Sequence, residues 1–164
     1  MTFSRRIFLP ILVVAGMAAI AGCGSSTLSE DQLTELEKRA ASLQVKVQEA
    51  GDKADACATD NKAKTEGAKG IGKCLGTALT TASTQIDDIN DYVKELAGSA
   101  SGDCKDKLNG LSDALGQTSG SLGDAAATAN KGDLEGITEE LQSVSTDQVD
   151  VTVAGREADK ACGG

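Results

Sequence analysis

Cysteine is the residue type with the most chemical scope in this chain, and histidine is absent. The 164 residues contain five cysteines, Cys23, Cys57, Cys74, Cys104 and Cys162. Without imidazole the chain lacks the usual proton shuttle at neutral pH, the commonest metal ligand and the base of a Ser-His-Asp triad. No two cysteines form a C-x-x-C pair, so neither a zinc clasp nor a thioredoxin-type redox pair fits their spacing. Asp87, Asp88 and Asp91 cluster as carboxylates able to attract a divalent cation, but they lack the Asp-x-Asp-x-Asp-Gly loop that encloses calcium. Glu139-Glu140 reads as a solvated face. Lys62, Lys64, Lys69 and Lys73 concentrate positive charge and would suit an anionic polymer or an acidic partner, although a solvated loop accounts for them more simply. No Ser stands in G-x-S-x-G, no G-x-x-x-x-G-K-[ST] occurs, and no Glu-x-x-His pair is present for a di-iron bundle. The expectation is a chain that is not an enzyme and takes no metal or cofactor.

Cys23 belongs to a different context. Arg5 and Arg6 give a positive start, Ile7 to Ala21 form an apolar run, and small residues lead into Cys23. This is the layout of an export signal. A membrane-spanning helix needs ~20 apolar residues, and this run is shorter and contains Pro10. Ile20-Ala21-Gly22-Cys23 resembles the bacterial lipobox, in which Cys becomes the first residue after cleavage and carries a diacylglyceryl thioether. The resemblance implies acylation of Cys23 (palmitate-type chains) and a tie to the lipid bilayer on the extracytoplasmic face of the cell membrane. At ~0.8 kcal/mol per buried methylene, two acyl chains anchor stably where one is marginal. Ser4-Arg5-Arg6-Ile7-Phe8-Leu9 also resembles the twin-arginine export motif, with Pro10 where Lys is frequent. An ordinary positive leader would equally contain Arg5 and Arg6, so both export routes stay open. Together with abundant Ala, Gly and Val, the leader resembles those of actinobacterial lipoproteins, and the resemblance extends over the signal region only.

Cleavage before Cys23 would remove 22 of the 164 residues and leave 142, suited to one domain. Loss of the leader's two basic residues moves the net charge from −9 to −11. Such an acidic body does not bind nucleic acid through bulk electrostatics. Phe3 and Phe8 leave with the leader, so Tyr92 is the one aromatic residue beyond it. Stacking platforms for sugars or bases are thereby excluded.

The elements that must position these side chains are helices. Ser29-Glu30-Asp31-Gln32 fits a capping box, in which the Ser29 hydroxyl accepts from the third helical amide and Gln32 reaches back. Apolar or small residues then recur at Leu33, Leu36, Ala40, Leu43, Val47, Ala50, Ala54 and Cys57, alternating steps of three and four. The same period runs from Ile71 to Leu96, from Cys104 to Ala129 and from Leu134 to Cys162. Breaks fall at Gly98–Gly102 and Asn130–Asp133. Four such stripes with short turns predict an all-α fold, a four-helix up-down-up-down bundle following the N-terminal signal peptide. Residues 1–22 would be the cleaved signal, 23–28 the lipidated Cys and short tether, and 29–164 the bundle domain. Gly110, Gly116, Gly120 and Gly123 each weaken the third stripe by ~1 kcal/mol relative to Ala, and tight backbone packing is the expected reason for them. Val149-Asp150-Val151-Thr152-Val153 alternates like a strand, yet the heptad continues through it, which favours helix.

Bundle topology then selects among the three connectivities that four cysteines allow. Cys57 closes the first stripe and Cys74 opens the second, so both lie at the distal end. Cys104 opens the third and Cys162 closes the fourth, so both lie at the proximal end. A helix of ~40 Å separates the pairs, far beyond the ~6 Å Cα spacing of a bridge. Cys57–Cys74 and Cys104–Cys162 are the expected disulfides. The functional expectation is a membrane-anchored extracytoplasmic lipoprotein with a non-enzymatic structural or protein-binding role and a protein partner at the envelope. The alternative is a carrier holding an apolar ligand or lipid between its helices, since Ala and Gly in the core could leave a cavity for one, although they could equally draw the helices together.

Overall fold

The computed structural model describes residues 28–163. Cys23, the lipobox around it and Ser4–Leu9 lie outside the described residues. Five helices run in sequence: α1 (Glu30–Cys57), α2 (Asn61–Thr65), α3 (Gly67–Ser99), α4 (Gly102–Asn130) and α5 (Gly136–Gly163). Four are long, and α2 is a single turn inside the connection between α1 and α3. The four long helices form the expected all-α up-down-up-down bundle.

Side chains cap the starts of α1, α2 and α5, whereas α3 and α4 have no side-chain cap. The Ser29 hydroxyl accepts from the Gln32 amide at 3.2 Å, and the Gln32 side chain accepts from the Ser29 amide at 2.9 Å. Two otherwise orphaned amides are thereby satisfied, as a capping box requires. Asp60 accepts from the Ala63 amide at 2.7 Å and so starts α2, a turn that the stripes did not reveal. Asp133 accepts from the Gly136 amide at 2.9 Å and starts α5. At the turns, Gly67, Gly102 and Gly132 adopt positive φ of 67°, 57° and 79°, which disfavours a side chain.

The buried faces follow the stripes. On α1 they are Leu36, Ala40, Leu43, Val47, Ala50, Ala54 and Cys57. The alternating Val149–Val153 run is helical within α5, with Val151 buried and both flanking valines exposed. Leu43, Ile89 and Leu111 are 5%, 3% and 1% exposed, whereas Leu141 is only half-buried against the core's distal part.

Neighbouring helices are antiparallel. Gln32 on α1 donates to the Ser99 hydroxyl at the end of α3, at 3.2 Å. Ser83 and Ser119 share a 2.9 Å hydroxyl contact between α3 and α4, and Ser112 donates to Asn90 Oδ1 at 2.7 Å in the same interface. Ser121 on α4 donates to Asp147 on α5 at 2.6 Å. α4 packs closely against both α3 and α5, and α1 packs mainly against α3. The backbones of α1 and α5 rarely approach one another.

The glycines of α4 play a different role from the expected one. A Cβ built on Gly110, Gly120 or Gly123 would meet nothing within 4 Å, and one on Gly116 would make only an ordinary contact with Asn90. All four face outward. Close backbone approach occurs instead on α3, where a Cβ on Gly72 would overlap the Ala129 carbonyl and one on Gly76 would overlap the Asn130 side chain.

Candidate functional site

The cysteines pair as the topology requires. Cys57 and Cys74 are bridged with their Cα atoms 5.6 Å apart, and Cys104 and Cys162 with theirs 4.7 Å apart. Both spacings lie in the ordinary disulfide range. The first bridge clasps the distal ends of α1 and α3, and the second the proximal ends of α4 and α5. Cys57, Cys104 and Cys162 are almost wholly buried. These are structural disulfides, and they leave no free thiol among the described residues.

The charged clusters stay apart from one another. Asp87, Asp88 and Asp91 are exposed on α3, with Asp91 paired to Lys94 at 3.3 Å. Lys64 on α2 and Lys69 and Lys73 on α3 are exposed at the distal end. Glu139 is exposed and Glu140 half-buried near the start of α5. Among the described residues no three Cys, Asp or Glu converge as metal ligands would. No helix among them is long and apolar enough to cross a membrane.

A proximal cluster escaped sequence reasoning. The Arg39 guanidinium lies over the Tyr92 ring at 4.3 Å from its centroid and bonds Glu35 at 2.8 Å. The Tyr92 hydroxyl donates to the Gln32 carbonyl at 3.3 Å. Burial pushes the Tyr92 phenol up from its ordinary pKa, Glu35 and Glu95 add to that, and Arg39 opposes it. The signal was present in the sequence, since the sole ring after Phe8 must land on some partner, but nothing in the stripe pattern picks out Arg39. On the far side, Lys107 of α4 bonds Glu157 of α5 at 2.9 Å, and that hydrogen bond and charge raise the lysine's pKa.

Two apolar clefts lie along α1, the proximal one facing α4 and α5 and the distal one facing mainly α3. The proximal one is lined by Leu28, Leu33, Leu36, Leu111, Ala158 and Gly155, with Glu37 and Asp159 at its rim. The distal one lies beneath Ala50, Gly51 and Ala54, with Leu79, Leu122 and Gln148 opposite. Each leaves about 20 Å³ of free space, room for one water molecule. Comparison with protein-family profiles, with characterised proteins and with solved structures finds no match to this chain. Its own residues must therefore carry the functional reading.

Proposed function

We propose that the chain is a lipid-anchored extracytoplasmic bundle that acts through protein contacts at the envelope surface, as an accessory subunit, a scaffold or a blocker of an envelope protein. The observation that carries this reading is the seating of Leu28. The last residue of the tether is 5% exposed, tucked into the base of the bundle. Only residues 24–27 then separate the acylated Cys23 from the packed Leu28, a reach of at most ~18 Å over five steps. A disulfide-braced body held that close to the bilayer suits contact with a membrane protein. It carries no catalytic role in this reading.

The anchor is tested by Cys23→Ala. That variant should lose incorporated acyl label and appear unprocessed or in the soluble fraction, while a labelled, membrane-bound product would sink the reading. The partner is tested by in-cell crosslinking followed by mass spectrometry of the membrane fraction. The carrier reading has less support, because an acyl chain needs far more room than the clefts leave unless α1 parts from α5. Native mass spectrometry after detergent exchange would revive it if a lipid stayed bound.

A further inference from the structure

Val45, Val149 and Val153 are the exposed large hydrophobic side chains among the described residues, at 57%, 61% and 49% exposure. Scattered singly, exposed valines need no account. These three share one face and one height. Gly51 and Gln148 line the same distal cleft, and Glu37, Gly155 and Asp159 line the proximal one. α1 and α5 therefore run antiparallel at matched levels, and Val45 stands level with the stretch from Val149 to Val153.

At 100° per residue, the outward side of this helix pair carries Ala41, Gln44, Val45 and Gln48 at mid-height on α1, with Asp52 and Asp55 on the same side nearer the distal end. On α5 it carries Thr138, Gln142, Ser145, Val149 and Val153. Between Ala41 and Gln48 on α1 and between Gln142 and Val153 on α5 this side carries no charge, in a chain of net charge −9. Elsewhere carboxylates stand out on the surface, at Asp87, Asp88 and Asp91 on α3 and at Asp106, Asp113 and Asp124 on α4. Towards the proximal end the face is polarised. α1 presents Glu37 and α5 presents Arg156 and Lys160, and none of the three makes an ion pair among the described residues.

We infer that this α1–α5 face binds a second copy of the chain. Two copies on one membrane must both rise from it in the same sense, so their two-fold axis runs along the helices. This orientation rests on the lipid-anchor reading. Such an axis sets α1 of one copy against α5 of the other, as an isologous interface requires. Val45 then packs against the partner's Val149 and Val153, and Glu37 meets the partner's Lys160 and Arg156. Two acidic bodies repel, and the uncharged middle of this face is where approach costs least. Its extent suffices. Two 28-residue helices side by side are ~42 Å long and ~20 Å wide, a footprint of roughly 800 Å² per copy. That matches the contribution of one partner to a standard specific interface, about 800 Å². Tethering to one membrane raises the effective concentration of each copy for the other.

The test uses the full-length chain expressed in a bacterial host, with a photocrosslinking amino acid at position 149. The expected result is a crosslinked homodimer in the membrane fraction, its bond mapped to α1 of the second copy near Val45. Glu37→Lys should lose most of that species, as should Lys160→Glu. The double variant should recover it, because the reversed pair restores attraction. Helix content and melting of each variant establish that the fold is intact. A wild-type chain that is acylated yet gives only monomer overturns the interface and leaves the anchor standing. A chain that dimerises through positions 149 and 45 without acylation overturns the anchor and leaves the interface standing. A bond to α3 or α4 of the second copy, capture of a different protein instead, or failure of the double reversal also overturns the proposal.

Discussion

Tyr92 reports on its surroundings more directly than any other residue, since no second aromatic ring of the domain obscures its absorbance. Burial raises its pKa first, and Glu35 raises it further, while Arg39 lowers it. Ultraviolet titration should therefore give a midpoint above the ordinary phenol value of about 10. Glu35→Gln should bring that midpoint down, and Arg39→Met should push it up. The folded state holds the phenolic proton more tightly than the unfolded state does. Its contribution to stability is thus complete below the ordinary phenol pKa and is lost as pH climbs through the folded value. At the same scale, Leu111 is 1% exposed, and Leu111→Ala should cost ~2 to 5 kcal/mol through lost burial and the cavity left behind. Leu141→Ala should cost less, because Leu141 is only half-buried. The exposed Lys64→Ala should move stability by no more than about half a kcal/mol. Denaturant unfolding of the three variants with both bridges intact checks that order.

Among the elements, α4 holds glycine where nothing requires it and α3 holds glycine where a neighbour does. Gly110→Ala, Gly120→Ala and Gly123→Ala should each stabilise the protein by about 0.4 to 1 kcal/mol, because each removes backbone freedom from the unfolded chain and meets open space. Gly72→Ala should destabilise it, since the added methyl would have to displace the Ala129 carbonyl. Thermal melts of the four single variants separate the two classes. Residues such as Leu36, Leu75, Leu108 and Val144 were legible in the sequence because three-four spacing marks the side of a helix that must leave water. Cys57–Cys74 and Cys104–Cys162 were legible for a related reason, since antiparallel order puts just these pairs at common ends. A stripe does not say how many neighbours its helix has. Ser112, Ser119 and Ala126 are buried because α4 packs closely against two helices, and that escapes a one-face pattern. The α1–α5 face was illegible too. Helical period places Val45 and Val149 outward, but only the packed bundle sets them at one height.

Taken whole, the molecule is a bundle in which α4 packs closely against α3 and α5, while α1 packs mainly against α3. α1 is held at its distal end by Cys57–Cys74 and at its proximal end by Gln32, Arg39 and Tyr92. By loop entropy the two bridges contribute about 3 and about 4 kcal/mol. Replacing Cys57 and Cys74 with Ser should free one end of α1. Hydrogen exchange in that variant should then quicken along α1 well before it does in α4. Exchange that quickens equally in all four long helices would mean that α1 is an integral part of a single cooperative unit. Each bridge also joins two cysteines that are neighbours in chain order, the second to the third of the five and the fourth to the fifth. In the general secretory route, one of the two that the leader leaves open, a chain threaded unfolded would expose Cys57 and Cys74 before Cys104. An oxidase that joins whatever thiols are at hand would then make the native pairs in order of appearance. No mispaired intermediate has to be reshuffled by thiolate exchange. Deleting a host's disulfide isomerase should leave the yield of oxidised protein unchanged, whereas deleting its oxidase should reduce it.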